Sequence, residues 1–192
     1  MTTIRTRNPA TGENLHEYTP HSDAEVEQAL AGAVVAQPDW AARSVADRAL
    51  LAGRLAAVLR ARKAEWARLM TLEMGKPVAQ SAGEIDKCAW LCDVYAEHAA
   101  AWLAEEPIDA DGHEHLIAYQ PLGVVLSIMP WNFPFWQALR FGVPTLLAGN
   151  TSLLKHARNV TGCALALEEA LTEAGFPEGV FRTLLVGHEG VG

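Results

Sequence analysis

Cysteine is scarce: the 192 residues hold three, Cys88, Cys92 and Cys163. An odd count makes no disulfide framework and fits a reducing compartment. Cys88 and Cys92 share one helix face with only His98 near them in sequence, so they read as small core hydrophobes and no metal site is expected. Unbroken apolar runs are missing too. Residues 116–139 contain no charged side chain, but Pro121, Pro130 and Pro134 interrupt them, which argues against a membrane span. Basic clusters are lacking. Fifteen Lys and Arg stand against 23 Asp and Glu, a formal net charge of −8, and that balance speaks against a nucleic-acid partner. The N-terminus has no apolar segment of the secretory kind, so a cytoplasmic protein is expected. What is present suffices for a core. Half the residues are hydrophobic and 20% are charged, which excludes disorder.

Charge is spread unevenly: residues 1–115 carry 11 Lys and Arg against 18 Asp and Glu, and residues 116–192 carry 4 against 5. In the first part, Asn8, Pro9 and Gly12 supply turn chemistry for a hairpin over residues 4–18. Ser22 with Glu25, and Ser44 with Asp47, read as capping boxes. The first opens a helix with Val26, Ala29, Leu30, Ala33 and Val34 on one face. The second opens a long helical stretch ended by Gly75-Lys76-Pro77, and a further helix fits residues 78–103. Arg48, Arg54, Arg60, Arg62 and Arg68 are expected on a solvated face, because acidic residues are interleaved among them.

In the second part the pattern changes. Residues 116–119 suit a short strand, and the apolar residues 123–129 suit a strand buried on both faces. A helix is predicted over 133–148, a strand over 152–155, a helix over 160–174 and a strand over 180–186. This order predicts half of a doubly wound parallel sheet, whose ligands bind beyond the carboxyl ends of the strands. Those ends are Pro130-Trp131-Asn132, Lys155 to Arg158, and Gly187-His188.

The residues at these ends admit more than one reading. Asn132 could donate an amide N–H to a developing oxyanion, or it could cap the helix that follows. Lys155 could bind ribose or phosphate oxygens, or it could extend to solvent from a sheet edge. The glycine fingerprint for pyrophosphate is absent after the first strand, which disfavours an ordinary dinucleotide mode. Cys163 has no basic neighbour in sequence to activate it as a nucleophile. His113-Glu114-His115 reads as a solvated loop whose histidines diverge.

Seven segments in order resemble the aldehyde dehydrogenase superfamily. They are residues 8–13, Glu73-Met74-Gly75-Lys76-Pro77, Pro121-Leu122-Gly123-Val124, Pro130-Trp131-Asn132-Phe133-Pro134, residues 147–151, Leu154-Lys155 and residues 174–180. Lys155-His156-Ala157 with Asn159-Val160, and residues 181–187, are most similar to bacterial succinate-semialdehyde dehydrogenases. The resemblance implies an α/β fold: an N-terminal hairpin and helical part over 1–115, then the first βαβαβ half of a Rossmann-like NAD(P) domain over 116–192. It implies oxidation of a small aldehyde, with succinate semialdehyde favoured, by a cysteine thiolate, hydride transfer to NAD or NADP, and a glutamate that activates water. By match, Asn132 is the catalytic oxyanion donor. Ile128, Met129, Pro130, Trp131, Lys155, Ala157 and Arg158 belong to the cofactor cleft, with Lys155 at the adenosine ribose. Full-length relatives are implied to be homo-oligomers.

Two departures qualify that resemblance. Arg158 stands where many NAD-preferring members have a glutamate, which favours NADP because a 2′-phosphate would meet a cation. The match also stops at Gly192, so the nucleophilic cysteine, the catalytic glutamate and the oligomerisation strand are expected beyond it. The chain alone is therefore expected to be inactive. The alternative is a non-catalytic chain that binds nucleotide or another subunit.

Overall fold

The computed structural model of the chain describes residues 3–113 and 115–187. The hairpin forms as predicted: β1 (Ile4–Arg7) pairs antiparallel with β2 (Asn14–Tyr18), Ile4 opposite Tyr18. Its turn is tied by the Ala10 N–H, which donates to Asn8 Oδ1 at 2.9 Å. Alternation then decides the faces. Ile4 and Thr6 point inward, Arg5 and Arg7 outward.

Both helix starts read from the sequence are present. α1 (Asp23–Ala42) carries the complete capping box, with the Glu25 N–H on Ser22 Oγ at 3.3 Å and the Ser22 N–H on Glu25 Oε2 at 2.7 Å. α2 (Val45–Ala61) is capped by Ser44, whose Oγ accepts from the Asp47 N–H at 3.1 Å. The single stretch expected as far as Gly75 is in fact two helices. Arg62 (φ −98°, ψ 10°) ends α2 and starts α3 (Lys63–Met74). No Gly or Pro marks this break. Tertiary contacts hold it: the Arg62 guanidinium binds Glu65, Glu169 and Glu173 and lies 4.9 Å from the Trp66 ring centroid. Gly75, at φ 78°, closes α3 in the left-handed conformation that glycine adopts freely. α4 (Val78–Trp102) follows. β3 (Glu106–Pro107) and β4 (Leu116–Ile117) then form a short exposed antiparallel pair.

The second part alternates as expected: β5 (Val124–Met129), α5 (Pro134–Leu147), β6 (Thr151–His156), α6 (Thr161–Glu173) and β7 (Phe181–Thr183). The strands are parallel in the order β5-β6-β7. β6 lies in the middle and every residue of it is buried. On one face Leu153 packs with Ala33 of α1, and with Leu184 and Val186 after β7. On the other, Leu154 joins the main core with Phe135 and Leu139 of α5 and Leu167 of α6. That core also takes in Leu55 of α2, Met70 of α3 and Ile85 of α4.

Three expectations need correction. β5 is not buried on both faces: Leu126 and Ile128 are 50% and 55% exposed. It is an edge strand among the described residues, and Val124 at its start packs against the cluster that holds Ala33 of α1. On α1, Val26, Ala29 and Ala33 face the sheet while Leu30 and Val34 are exposed, so the apolar stripe is narrower than its composition implies. Arg48 does not belong to a solvated face. It is buried, and its guanidinium donates to the carbonyls of Trp40, Ala41 and Arg43 at the end of α1 and of Leu147 at the end of α5. Helix ends leave such carbonyls short of backbone donors, although the Trp40 carbonyl also accepts the Arg43 N–H at 3.3 Å. Arg54, Arg60 and Arg68 are exposed as expected, and Arg62 is half-buried. Among the described residues no helix is long and apolar enough to cross a membrane, and no cluster of metal-ligating side chains occurs. Glu114 and His188 lie outside the described residues.

Candidate functional site

Among the described residues, two cavities of ligand size stand out. One, of about 780 Å³, lies between α1, α6 and β7. The other, of about 750 Å³, opens beyond the carboxyl ends of β5 and β6, where ligands of parallel sheets bind. Its walls are Ile128, Met129, Pro130, Trp131, Lys155, Ala157, Arg158 and Asn159. All seven residues singled out for a cofactor cleft therefore line one cavity, and among the described residues Asn159 joins them.

Strand register explains this convergence. Ile128 pairs with Lys155 and Met129 with His156, so the last residues of the two strands stand side by side. Lys155 shares its face of β6 with Leu153 and is 4% exposed, which removes the reading of a lysine extending to solvent from a sheet edge. Arg158 begins the 3-10 turn after β6, and its Nη2 donates to the Thr3 carbonyl at 3.3 Å. The cavity thus has two cationic side chains and no carboxylate among its described lining residues.

Asn132 lies just outside this lining, exposed, on the turn between β5 and α5. It does not cap α5. The N-cap is Phe133, which has no side-chain acceptor, and the first-turn N–H groups of Phe135 and Trp136 both donate to Glu84 Oε1 at 2.9 Å. Glu84 comes from α4, is buried, and pairs through its other oxygen with buried Lys76. The same device recurs at α6, where Glu73 of α3 accepts from the N–H groups of Gly162 and Cys163, each at 2.9 Å. Burial pushes the Glu73 carboxyl above its usual range despite these hydrogen bonds. Burial, with the Glu73 charge adding to it, also pushes the nearby Tyr18 phenol up to about 12.

His156 joins the two walls of the cleft. Its Nδ1 accepts from the Ala157 N–H at 2.9 Å, which leaves Nε2 to donate to the Pro134 carbonyl at 3.0 Å. One neutral tautomer satisfies both bonds. Burial lowers its pKa, and the Lys155 charge lowers it further. The three cysteines are fully buried and their thiols are pushed up by burial, Cys92 to about 12. None is a ready thiolate.

Glu73, Lys76, Glu84 and His156 were not singled out from the sequence. A signal existed for Glu84: with Ser81, Ile85 and Cys88 it falls on the buried stripe of α4, where an unpartnered carboxylate has no place. Glu73 stands likewise beside Trp66 and Met70 on α3.

Comparison with known proteins bears on the family and the fold. The aldehyde dehydrogenase family model matches residues 1–192. A Synechocystis protein named probable succinate-semialdehyde dehydrogenase, NADP(+), is 49% identical over 184 residues, covering 96% of this chain and 40% of the relative. Succinate-semialdehyde dehydrogenase NADP(+) 1 of Mycobacterium tuberculosis is 50% identical over 186 residues, covering 95% and 41%. The crystal structure of succinic semialdehyde dehydrogenase from Streptococcus pyogenes in complex with NADP+ superposes with a TM-score of 0.94 at 31% identity, over 98% of this chain and 42% of that one. The chain spans about 40% of the length of the curated relatives it matches. With the seven segments in order and this fold around them, the chain belongs to the aldehyde dehydrogenase family.

Proposed function

We propose that this chain supplies the cofactor cleft and the oxyanion donor for NADP-dependent oxidation of a small aldehyde, succinate semialdehyde being the favoured substrate. The observation that carries the reading is the convergence of Ile128, Met129, Pro130, Trp131, Lys155, Ala157 and Arg158 on one cavity of about 750 Å³. The cavity fits a phosphorylated dinucleotide in size and charge, with an apolar wall on β5 and two cations on the β6 side. The names of the relatives from Synechocystis and Mycobacterium tuberculosis support both the substrate and NADP.

In this reading Lys155 hydrogen-bonds the adenosine ribose, and Arg158 meets the 2′-phosphate that distinguishes NADP from NAD. Bound NADP+ supplies the hydride acceptor. Pro130 and Trp131 exclude water along one wall. Asn132, free of any capping duty, directs its uncharged amide N–H at the substrate oxygen as negative charge develops there; such a donor contributes about 2.7–4 kcal/mol of transition-state stabilisation. The attacking thiolate does not come from Cys88, Cys92 or Cys163, all buried as thiols. That observation favours nucleotide binding without turnover as the behaviour of the isolated chain.

Titration of the 192-residue chain with NADPH and with NADH tests the reading. Saturable binding is expected, tighter for NADPH. Lys155→Ala weakens it about tenfold, the loss of one charge-assisted hydrogen bond. Arg158→Glu shifts the preference towards NADH. Failure of the unaltered chain to bind either nucleotide overturns the cleft assignment, and a tenfold preference for NADH overturns the NADP assignment. Purified chain mixed with succinate semialdehyde and NADP+ is expected to form no NADPH; turnover above buffer would refute the reading of the cysteines.

A further inference from the structure

The function proposed for Asn132 requires the turn of residues 130–133 to be held in one place. α5 cannot hold it unaided, because its N-cap is a phenylalanine and its first N–H groups would be orphans. Glu84 satisfies two of them, at Phe135 and Trp136. Lys76 pairs with the same carboxylate and sets its Nζ 3.8 Å from the ring centroid of Phe133, the residue after Asn132. From the opposite side His156 donates to the carbonyl of Pro134. Four consecutive residues after Asn132 are thus gripped by side chains of α4, β6 and the loop that precedes α4.

We propose that Glu84, clamped by Lys76, is a positioning residue for Asn132 and for the cleft wall formed by Pro130 and Trp131. The proposal deepens the function proposed above and rests on its reading of that turn. Stability alone is a poor account of the pair, since apolar side chains of similar volume usually stabilise a core as well as a buried ion pair does. An apolar pair could not accept two backbone N–H groups, nor set a cation against Phe133. What the ion pair adds is geometry at the start of α5.

The test compares the unaltered 192-residue chain with Glu84→Ala, Glu84→Gln and Lys76→Met by amide hydrogen exchange and NADPH titration. In Glu84→Ala, exchange at Phe135 and Trp136 is expected to rise about tenfold or more relative to amides in α2, with weaker NADPH binding. Glu84→Gln keeps an oxygen that can accept both N–H groups and is expected to restore most of the protection. A purely structural role would instead raise exchange in α2 and α5 alike, or leave the glutamine variant no better than alanine; either result overturns the proposal. Should Glu84→Ala fail to fold, Lys76→Met decides: faster exchange confined to residues 132–136 supports the proposal, and unchanged exchange there refutes it. Absence of NADPH binding in the unaltered chain would sink the cleft assignment, while the exchange data would still decide what Glu84 holds.

Discussion

A β-carbon at Gly162 would stand 2.7 Å from the Glu73 oxygen that accepts the Gly162 N–H. The helix start and the carboxylate that caps it fit only because position 162 has no side chain. Glu73 cannot swing aside, since its second oxygen is committed to the Cys163 N–H.

Gly162→Ala should therefore destabilise the fold, although alanine is ordinarily the better helix residue by about 1 kcal/mol. Displacing the cap leaves a buried N–H at Cys163 and a half-buried one at Gly162 unpaired, and the expected net loss is about 2 kcal/mol. Thermal or urea unfolding monitored by circular dichroism measures it. A rise in stability would show that Glu73 moves freely.

Arg48 gathers carbonyls from the ends of α1 and α5 while buried, and among the described residues no carboxylate pairs with it. Helix C-termini carry partial negative charge, which is what its cation meets. Arg48→Met is expected to cost about 3 kcal/mol, because those carbonyls lose their donors. Arg48→Lys should recover only part of this, as an ammonium lacks the planar fork that spans two helix ends. The ordering of the three urea midpoints, Arg above Lys above Met, is the measurement.

His156 makes stability depend on pH with a definite sign. Its native pKa lies below the ordinary 6.5, so in the window between them the unfolded chain binds the proton and the native state does not. Its contribution is complete above 6.5 and is lost as the pH falls through that window. Protonation would place a hydrogen on Nδ1, which now accepts from the Ala157 N–H. Unfolding midpoints measured between about pH 8 and pH 5 should fall more steeply for the unaltered chain than for His156→Gln. Glu73, whose pKa is raised, acts in the opposite sense, and comparison of the two chains cancels it. Parallel curves would refute the assignment.

What could be read in the sequence was mostly local. Ser22 and Ser44 announce their helices within three residues, Gly75 closes α3, and the alternation after Val124 announces the parallel strands. The lining of the cavity beyond β5 and β6 was legible because strand ends and a family motif coincide at Pro130, Trp131 and Lys155. What escaped was set by distant partners. Glu84 reaches amides 51 and 52 residues away, Glu73 reaches 89 and 90, and Arg48 reaches Leu147 across 99. In sequence each looks like an ordinary charge on a helix. The break at Arg62 is of the same kind, since two of the acids that hold it lie on α6. The exposure of Ile128 escaped for another reason: an apolar run does not reveal how many neighbours its strand will have.

The span of these bonds has a consequence for the order of synthesis. As the chain leaves the ribosome, α2, α3 and α4 are complete before the Leu147 carbonyl that Arg48 binds and before the amides that Glu73 and Glu84 bind. Until those partners have emerged, Glu73 lacks both its amides, Glu84 has Lys76 but neither of its amides, and Arg48 lacks the Leu147 carbonyl, so burying them early would be costly. Closing the helical part ahead of α5 and α6 therefore carries a penalty that their arrival removes.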